Sequence, residues 1–471
     1  MSVIDVFARI LGPQHVLADP AETLPYGTDW RGSPARAPLL VVRPGTTAEV
    51  AAVLRAAGEL GLAVIPAGGR TGLAGGIVPL PGERPTLTLS LERMRRIRLL
   101  DAADMSLIAE AGCTVEAIQT AAAEAGRFFP LAFGAQGSAM LGGALSTNAG
   151  GIRALRYGSA RDLVLGLEVV LPDGRVLDDL RRVRKDNSGY ALRHLFIGAE
   201  GTLGVITAAS LRLFPPLARR ETAFLGLPGP QAALALFARV QQAGGELVAF
   251  ELLNRRVVEL TLRHGSRLRA PVPIEAPWYG MVEIASTHAG AVLRPAFEEA
   301  LAAALEAGEA SAAMLAENEE SRAMLWRLRE STPECTRHAG PAVGTDTAVP
   351  VSALPGFLQA VAEEAAERWP EGRLLALGHL GDGNMHLALQ APGPEVPRAV
   401  WQERAGGFEE MVNHLAVAAG GSFSAEHGIG LSKLGPMAAM KDPVALSLMR
   451  AIKQAIDPAG IMNPGKVLPA W

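Results

Sequence analysis

Residues 62–76 read LAVIPAGGRTGLAGG, an apolar strand that runs directly into a turn containing five glycines. Before it, the apolar run LLVVR at 39–43 predicts a short buried strand. Between the two, residues 46–61 (TTAEVAAVLRAAGELG) predict a helix that begins at a threonine and ends at a glycine. The order of strand, helix, strand and glycine-rich turn predicts a β-α-β unit near the start of the fold.

The glycine-rich turn matches neither of the two best-known nucleotide-binding fingerprints. It contains no GxGxxG opening a helix and no GxxxxGKS or GxxxxGKT, so the sequence disfavours a Rossmann site and a P-loop. Backbone amides of such a turn can still bind phosphate oxygens. Two more glycine-dense segments follow, GAQGSAMLGGALSTNAGG at 134–151 and DNSGYALRHLFIGAEGTLGVIT at 186–207. One such segment is explained by turn formation alone, whereas three favour an extended cofactor held by backbone groups.

The composition of the 471 residues is that of a soluble globular protein with more than one core. The net charge of −4 and the even spread of arginines exclude a basic patch for nucleic acid. Cys113 and Cys335 have no metal-binding spacing, which favours a reducing compartment. The first residues resemble no signal peptide, and no apolar run is long enough for a transmembrane helix. We therefore expect a soluble, cytoplasmic protein.

The character of the sequence changes around Pro215–Pro216. Residues 217–375 are rich in Ala, Leu and Glu and predict long helical stretches, for example over 290–330. Strand patterns such as WYGMVEIAS at 278–286 lie among them. This mixture indicates a second α+β domain after the glycine-rich segments.

A short stretch near the C-terminus contains the most informative side chains. Residues 373–390 (RLLALGHLGDGNMHLALQ) alternate apolar residues on both sides of a DG turn, which predicts a β-hairpin. Folding back at Gly381–Asp382–Gly383 would bring His379 and His386 close together. Farther along, SAEHGIG at 424–430 contains a glutamate and a histidine.

Two histidines and one carboxylate are a common set for zinc with an open coordination position. His379, His386 and Glu426 form such a set, and the neighbouring His427 is expected to point elsewhere. Manganese or iron can also occupy a site of this kind. The alternative is that the two histidines only make hydrogen bonds at the mouth of a loop. Glycines beside both clusters favour the close approach of a ligand.

Seven segments in order resemble the family of FAD-dependent D-2-hydroxyacid dehydrogenases, which includes D-2-hydroxyglutarate dehydrogenase, flavin-linked D-lactate dehydrogenase and the large subunit of glycolate oxidase. The resemblance implies an α+β fold, with an FAD-binding domain of the vanillyl-alcohol-oxidase type at 1–215, a substrate or cap domain at 216–425 that carries the metal hairpin, and a C-terminal segment at 426–471 that packs back on the flavin domain. The matching segments are PAGGRTGLAGG, GAQGSAMLGGALSTNAGGIRALRYGS, GYALRHLFIGAEGTLGVIT, LWRLRES, GHLGDGNMH, SAEHGIG and NPGK.

The resemblance also implies FAD as the cofactor. Residues 66–76 contain no histidine for a covalent bond to flavin, so non-covalent FAD is expected. Cys113 offers a thioether as an alternative, although a buried strand residue is the preferred interpretation. The residues implied for the pyrophosphate are Pro66, Gly68, Gly69, Arg70, Thr71 and Gly72. Those implied for the isoalloxazine and ribityl region are Gly137, Ser138, Gly142, Gly143, Asn148, Gly150 and Gly151. Glu200, Gly201 and Val205 are implied for the adenine half, and Asn463, Pro464, Gly465 and Lys466 for a closing motif near the flavin.

The resemblance assigns roles to the metal and substrate residues as well. It implies His379, His386 and Glu426 as metal ligands, His427 as the catalytic base, and Arg329 and Asn384 as substrate-binding residues. From the sequence alone, Arg329 is as easily an exposed helix residue that pairs with a neighbouring glutamate.

The reaction implied is oxidation of a D-2-hydroxy acid to the 2-oxo acid. A divalent metal, with zinc as the first choice, would lower the pKa of the substrate hydroxyl, and His427 would take its proton. Hydride would pass to the flavin, and a separate acceptor would reoxidise it. An electron-transfer flavoprotein, a quinone or a cytochrome are the acceptors to consider, and a homodimer is left open.

Two departures bear on the substrate. Hydroxyglutarate-type members carry a threonine four residues after the arginine and a lysine farther on, where this chain has Pro333 and Gly344. Because a buried second carboxylate needs a paired charge, a D-lactate-like monoacid is favoured over D-2-hydroxyglutarate. Two further alternatives are a flavin-dependent transferase of the alkyl-glycerone-phosphate synthase type and a non-catalytic flavoprotein subunit. Neither would need the metal set.

Overall fold

The computed structural model describes residues 2–32, 34–82 and 84–469. The described residues divide into two compact units. Unit 1 comprises Met1–Gly151, Tyr157–Pro216 and Glu426–Trp471, and unit 2 comprises Ile152–Arg156 and Leu217–Ala425. Among the described residues, no helix combines the length and the apolar character needed to span a bilayer.

The described residues form strands and helices in every part of the sequence. The strands are β1 Val16–Leu17, β2 Leu40–Val42, β3 Ala63–Ala67, β4 Thr86–Ser90, β5 Ile97–Asp101, β6 Ser106–Glu110, β7 Val164–Val170, β8 Val176–Asp179, β9 Val205–Arg212, β10 Arg219–Leu227, β11 Glu246–Asn254, β12 Trp278–Ser286, β13 Ala312–Leu315, β14 Ala342–Gly344, β15 Thr347–Ala348, β16 Arg373–His379 and β17 Asn384–Gln390. The helices are α1 Val3–Leu11, α2 Pro20–Thr23, α3 Thr47–Glu59, α4 Val115–Glu124, α5 Leu141–Ser146, α6 Ala154–Tyr157, α7 Arg193–Phe196, α8 Pro230–Val240, α9 Arg255–His264, α10 Arg294–Glu306, α11 Glu319–His338, α12 Leu354–Arg368, α13 Arg398–Arg404, α14 Gly407–Ala418, α15 Leu434–Met440 and α16 Pro443–Ile456.

Unit 1 contains the predicted β-α-β unit. Its first sheet has the strand order β1-β2-β4-β3, in which β4 pairs parallel with both β2 and β3. The connecting helix α3 begins where the Thr46 side chain accepts a hydrogen bond from the Glu49 amide, as the sequence predicted. A second sheet, β5-β6-β9-β7-β8, is antiparallel throughout. The glycine-rich turn therefore follows the carboxyl end of β3, an edge strand of the first sheet.

Unit 2 is built on one antiparallel sheet with the order β13-β10-β12-β11-β16-β17-β14, and β15 also pairs with β17. Successive residues of these strands face opposite sides. One side packs against α8, α10, α12 and α14 and contributes Met385 and Leu387 to a large core. The other side packs against α9 and α11 and contributes Leu253 and Leu375 to a smaller core. This second side carries the polar residues discussed below.

The predicted hairpin is present in unit 2. β16 and β17 pair antiparallel, with His379 opposite Asn384, and Leu380–Asp382 form the turn between them. Gly383 ends the turn with φ +75°, a conformation that favours glycine. Local turn chemistry and strand alternation thus determine this element.

The helical expectation for 290–330 is wrong in its middle. Helices α10 and α11 occupy its two ends, but Ala312–Leu315 between them forms β13, which pairs with β10 at the sheet edge. The sequence AAML has little intrinsic strand preference, so pairing with a long neighbouring strand decides its conformation. Helix α11 also continues past Pro333 to His338, farther than the periodic pattern indicated.

Replacing Gly383 with alanine should destabilise unit 2 strongly. A Cβ at this position would lie 1.9 Å from the Val349 carbonyl oxygen, and φ is positive. We expect a loss of about 2 kcal/mol or more in the free energy of unfolding, measured by urea denaturation. The control is Gly344→Ala, whose Cβ would meet nothing closer than 3.6 Å. Equal losses in the two variants would contradict this account of the turn.

Candidate functional site

His379 and His386 lie on the same side of the unit 2 sheet. His379 ends β16 and is 6% exposed, and His386 is half-buried in β17. Their ring centroids are 5.8 Å apart and their planes are nearly perpendicular. The predicted proximity of the two imidazoles is therefore confirmed.

A carboxylate that the sequence analysis missed lies against the first histidine. Glu251 in β11 is directly opposite His379 in the strand pairing, and its Oε1 is 2.6 Å from His379 Nδ1. A second buried carboxylate, Asp346, has its Oδ1 3.7 Å from His386 Nδ1. The signal for Glu251 was present in the sequence as a lone acidic residue within the apolar run VAFELL. With Nδ1 occupied, His379 can offer only Nε2 to a metal.

The guanidinium of Arg329 reaches the same carboxylate from α11. Arg329 is 6% exposed, and its Nε donates to Glu251 Oε2 over 2.6 Å. The alternative of an exposed arginine paired with a helix neighbour is therefore wrong. The two Nη groups of Arg329 have no hydrogen-bond partner within the described ranges of the chain. They remain available for a planar carboxylate.

The charge of Glu251 is strongly stabilised. Its complete burial raises the pKa, but the Arg329 guanidinium and the His379 imidazole outweigh this effect and lower the pKa to about 2. Glu251 is thus an acceptor on both oxygens at neutral pH, and its two donors are held in fixed directions.

The hydrogen bonds of Asn384 determine which of its amide atoms can bind a ligand. Its Nδ2 donates to Asp346 Oδ1 over 3.1 Å and to the Thr347 carbonyl over 2.9 Å. Both partners are acceptors, so they fix the orientation of the amide. Its Oδ1 is buried and has no partner in the part of the chain that the structure describes. Asn384 therefore offers an acceptor to a bound molecule.

The glycines of the predicted cofactor loops in unit 1 fall into two classes. At Gly69 a Cβ would lie 2.0 Å from the Ser138 carbonyl oxygen, and at Gly201 it would lie 2.9 Å from Pro66. The protein itself excludes a side chain at these two positions. At Gly72 and Gly143 a Cβ would meet no atom within 4 Å, and neither has a positive φ. No contact with the described residues requires glycine there, which suits the close approach of a ligand.

Backbone strain is concentrated in the same loops. Seven non-glycine residues of the described ranges have positive φ, and four of them are among the predicted cofactor residues. These four are Arg70, Asn148, Glu200 and Asn463, with φ of 59°, 51°, 49° and 38°. A positive φ in a non-glycine residue raises the free energy of the folded state, and such residues cluster at binding sites.

Glu200 connects several of these loops. Its carboxylate accepts the amides of Ile429 at 2.7 Å and Gly430 at 2.9 Å, and its carbonyl accepts Asn463 Nδ2 at 2.8 Å. Burial raises the pKa of Glu200, and the two amides act in the opposite direction. Both carboxylate oxygens accept backbone amides, so Glu200 holds these loops together, and its contact with a cofactor stays a prediction.

The other predicted residues of unit 1 lie in or beside these loops. Glu426 and His427 belong to unit 1, and a Cβ at Gly150 would lie 2.9 Å from Glu426 Oε1. Their roles as ligand and base stay predictions. Pro66 lies in β3, Gly68 and Thr71 in the turn after it, Gly137 and Ser138 before α5, Gly142 in α5, Gly151 after it, and Val205 at the start of β9.

One polar group of the NPGK segment, the Lys466 ammonium, fits an anionic cofactor. Lys466 is 2% exposed, and its Nζ has no hydrogen-bond partner among the described residues. Burial lowers the pKa of this ammonium to about 8, although the Glu200 carboxylate acts in the opposite direction. Asn463 Oδ1 is also buried without a partner in the described ranges, but as an acceptor it would meet a donor group of a ligand and not a phosphate oxygen. A buried cation of this kind is stabilised by an anion such as a pyrophosphate.

Cys113 is 2% exposed and lies in the turn after β6, so it is buried as expected but is not a strand residue. Burial raises the pKa of its thiol to about 11. A thiol that stays protonated is a poor nucleophile, which disfavours a flavin thioether.

Comparison with known families gives two matches along the chain. Residues 38–179 match the FAD binding domain family, and residues 217–467 match the C-terminal domain of FAD linked oxidases. Mitochondrial D-2-hydroxyglutarate dehydrogenase of Bos taurus is 39% identical over 461 residues, covering 97% of this chain and 82% of the bovine protein. D-2-hydroxyglutarate dehydrogenase of Xanthomonas citri pv. viticola is 37% identical over 451 residues, covering 95% and 93%. The matches support FAD as the cofactor.

Solved structures confirm the fold class at low sequence identity. p-Cresol methylhydroxylase superposes with a TM-score of 0.75 at 15% identity, covering 98% of this chain and 96% of that chain. Alkyldihydroxyacetonephosphate synthase superposes with a TM-score of 0.73 at 16% identity, covering 98% and 84%. The predicted α+β flavoprotein fold is therefore confirmed, and these two structures indicate the fold alone.

Lys466→Met should stabilise the flavin-free protein at pH 7. The folded state disfavours the charged ammonium, and this penalty disappears as pH rises from about 8 to 10.5. We expect a gain of at most about 3 kcal/mol in the free energy of unfolding at pH 7, and a smaller gain at higher pH. FAD affinity should fall at the same time by about tenfold or more. Denaturation at both pH values and FAD titration measure the two effects.

Lys453→Met is the matched control. The Lys453 ammonium donates to Asp457 and to two carbonyl oxygens, so its loss should destabilise the flavin-free protein. If Lys466→Met also destabilises the flavin-free protein and leaves FAD affinity unchanged, Lys466 has no role toward the cofactor.

Proposed function

Because the chain belongs to the family of FAD linked oxidases that includes the D-2-hydroxyglutarate dehydrogenases, we propose that it oxidises a D-2-hydroxy acid to the 2-oxo acid. One observation carries the proposal. The histidine pair, the free end of the Arg329 guanidinium and the acceptor oxygen of Asn384 belong to one unit, and the histidines share one side of its sheet. This combination suits a small acid that carries a hydroxyl next to a carboxylate.

The substrate is held by polar groups of unit 2. Arg329 binds a carboxylate through its two Nη groups, as a planar fork does for two oxygens. Asn384 Oδ1 accepts a hydrogen bond from a hydroxyl, since its amide nitrogen is already committed. His427 is the proposed base for the hydroxyl proton, as predicted from the sequence. FAD, when bound, supplies the acceptor for hydride.

We propose His379, His386 and Glu426 as ligands of a divalent metal. The support from unit 2 is that Glu251 fixes His379 with its Nε2 lone pair directed away from the strand pairing. Two imidazoles and a carboxylate suit zinc first, and manganese or iron next. A metal at this site would lower the pKa of a coordinated hydroxyl, which is otherwise too high for a histidine base.

The two positions at which this chain departs from hydroxyglutarate-type members offer little to a second carboxylate. Gly344 in β14 is paired with Ala388 in β17, and Pro333 is one helical turn after Arg329. None of the three supplies a charge or a side-chain hydrogen-bond donor. We therefore propose a D-lactate-like monoacid as the substrate.

D-2-hydroxyglutarate is the second candidate, favoured by the names of the two relatives reported above. The transferase alternative is supported only by fold similarity at 16% identity, and it gives no reason for the histidine pair. A cytoplasmic location and a separate acceptor, whether an electron-transfer flavoprotein, a quinone or a cytochrome, are proposed from the sequence alone.

Anaerobic flavin bleaching tests the reaction. We expect D-2-hydroxy acids to bleach the FAD absorbance and their L-enantiomers to leave it unchanged, because the hydroxyl and carboxylate contacts fix the stereocentre. Dialysis against a chelator should abolish bleaching while FAD stays bound, and one divalent metal should restore it. Bleaching that survives complete metal removal would contradict the metal centre, and absence of bleaching by every 2-hydroxy acid would contradict the function.

Gly344→Lys should move the preference toward D-2-hydroxyglutarate. The backbone accommodates a side chain there, since a Cβ would meet Ala388 at an ordinary 3.6 Å. One added ammonium should raise the kcat/KM for D-2-hydroxyglutarate relative to D-lactate by about tenfold, the equivalent of about 1.4 kcal/mol. Gly344→Ala is the control and should leave the ratio unchanged. If the unaltered enzyme already prefers D-2-hydroxyglutarate by a large margin, the monoacid proposal is wrong.

A further inference from the structure

Glu251 is a fully buried carboxylate that contacts both a proposed metal ligand, His379, and a proposed substrate residue, Arg329. We propose that Glu251 is a positioning residue that fixes the His379 imidazole and the Arg329 guanidinium together, so that metal binding and substrate-carboxylate binding depend on the same side chain. This inference rests on the function proposed above and extends it to a residue outside the predicted site.

The strand register determines the first half of this arrangement. Glu251 and His379 are partners across β11 and β16, so their side chains project from the same side of the sheet. The next pair on that side, Leu253 and Leu377, is apolar, which excludes water from the contact. A one-residue slip would move Glu251 to the opposite side, so the pairing itself holds the carboxylate against the imidazole.

Helix α11 supplies the second half. Among the described residues of α11, only Arg329 has a guanidinium that reaches Glu251. It donates to Oε2, whereas His379 contacts Oε1. Each carboxylate oxygen therefore has its own donor at 2.6 Å. Because Nε is committed to Glu251, this bond restricts the orientation of the guanidinium and leaves its Nη groups as the donors for another acceptor.

The contact to His379 also selects its tautomer. An ionised carboxylate only accepts hydrogen bonds, so the proton of neutral His379 resides on Nδ1. The lone pair then resides on Nε2, the nitrogen that a metal would use. Glu251→Gln would remove the negative charge that favours a proton on Nδ1.

A neighbouring glutamate provides a control for a purely structural role. Glu283 in β12 is 5% exposed and accepts hydrogen bonds from Thr222, Trp326 and Arg322. It connects α11 to the same sheet, as Glu251 does, but no histidine is among its recorded partners. Loss of Glu283 should therefore cost stability without changing metal binding.

The test compares Glu251→Gln with Glu283→Gln in the full-length protein. We expect Glu251→Gln to bind Zn²⁺ about ten- to a hundredfold more weakly in competition dialysis and to raise KM for the 2-hydroxy acid. Glu283→Gln should change Zn²⁺ affinity by less than about twofold, although its thermal midpoint falls. Glu251→Asp keeps the charge, so it should recover part of the lost affinity and provides a second variant if Glu251→Gln folds poorly.

A metal-free measurement separates this inference from the proposed function. In ¹⁵N-histidine spectra at a pH where free imidazole is neutral, His379 should show Nδ1 protonated, and the signal is assigned by its loss in His379→Asn. Glu251→Gln should lose this tautomer preference and Glu251→Asp should keep part of it, whereas Glu283→Gln should retain it in full. If the unaltered protein binds no Zn²⁺, the metal centre fails but the tautomer result still decides the role of Glu251. An unchanged tautomer in Glu251→Gln, or unchanged Zn²⁺ affinity in a protein that binds Zn²⁺, overturns the inference.

Discussion

The polar site of unit 2 depends on one buried carboxylate with two charged or polar partners. Glu251 is fully buried, and a carboxylate in that position is tolerated only because Arg329 and His379 donate to it. The dependence is mutual, since removal of any one group leaves another buried without its partner. Glu251 in β11 therefore orients the side chains of Arg329 in α11 and His379 in β16.

Local physics explains why much of the fold was predictable. The β-α-β unit follows from a threonine cap and a helical period between two apolar strands, and the hairpin follows from a DG turn flanked by alternating residues. The histidine pair was predictable for the same reason, because strand alternation and a tight turn fix its geometry. Glu251 was not, since it lies 128 residues from His379 in the sequence and meets it only through strand pairing. β13 was missed because its pairing, and not its composition, makes it a strand.

The glycine-rich loops show a different limit of sequence reasoning. Glycine at 69 is required by the Ser138 carbonyl, whereas glycine at 72 has open space where its Cβ would be. Both positions are glycine in the sequence. Only the structure shows that one glycine is required by packing and that the other leaves space for a ligand. At Glu200 the structure adds what the sequence could not, because its carboxylate accepts two backbone amides from residues more than 200 positions away.

The contrast between buried and exposed positions in unit 2 bears on how the substrate preference proposed above could change. Glu251 and Arg329 are buried, and altering either would cost stability. Gly344 and Pro333 are exposed, and a side chain at 344 meets only an ordinary contact with Ala388. Substitutions at exposed positions usually change stability little. The carboxylate and hydroxyl contacts proposed for unit 2 can therefore stay fixed while position 344 acquires or loses a charge.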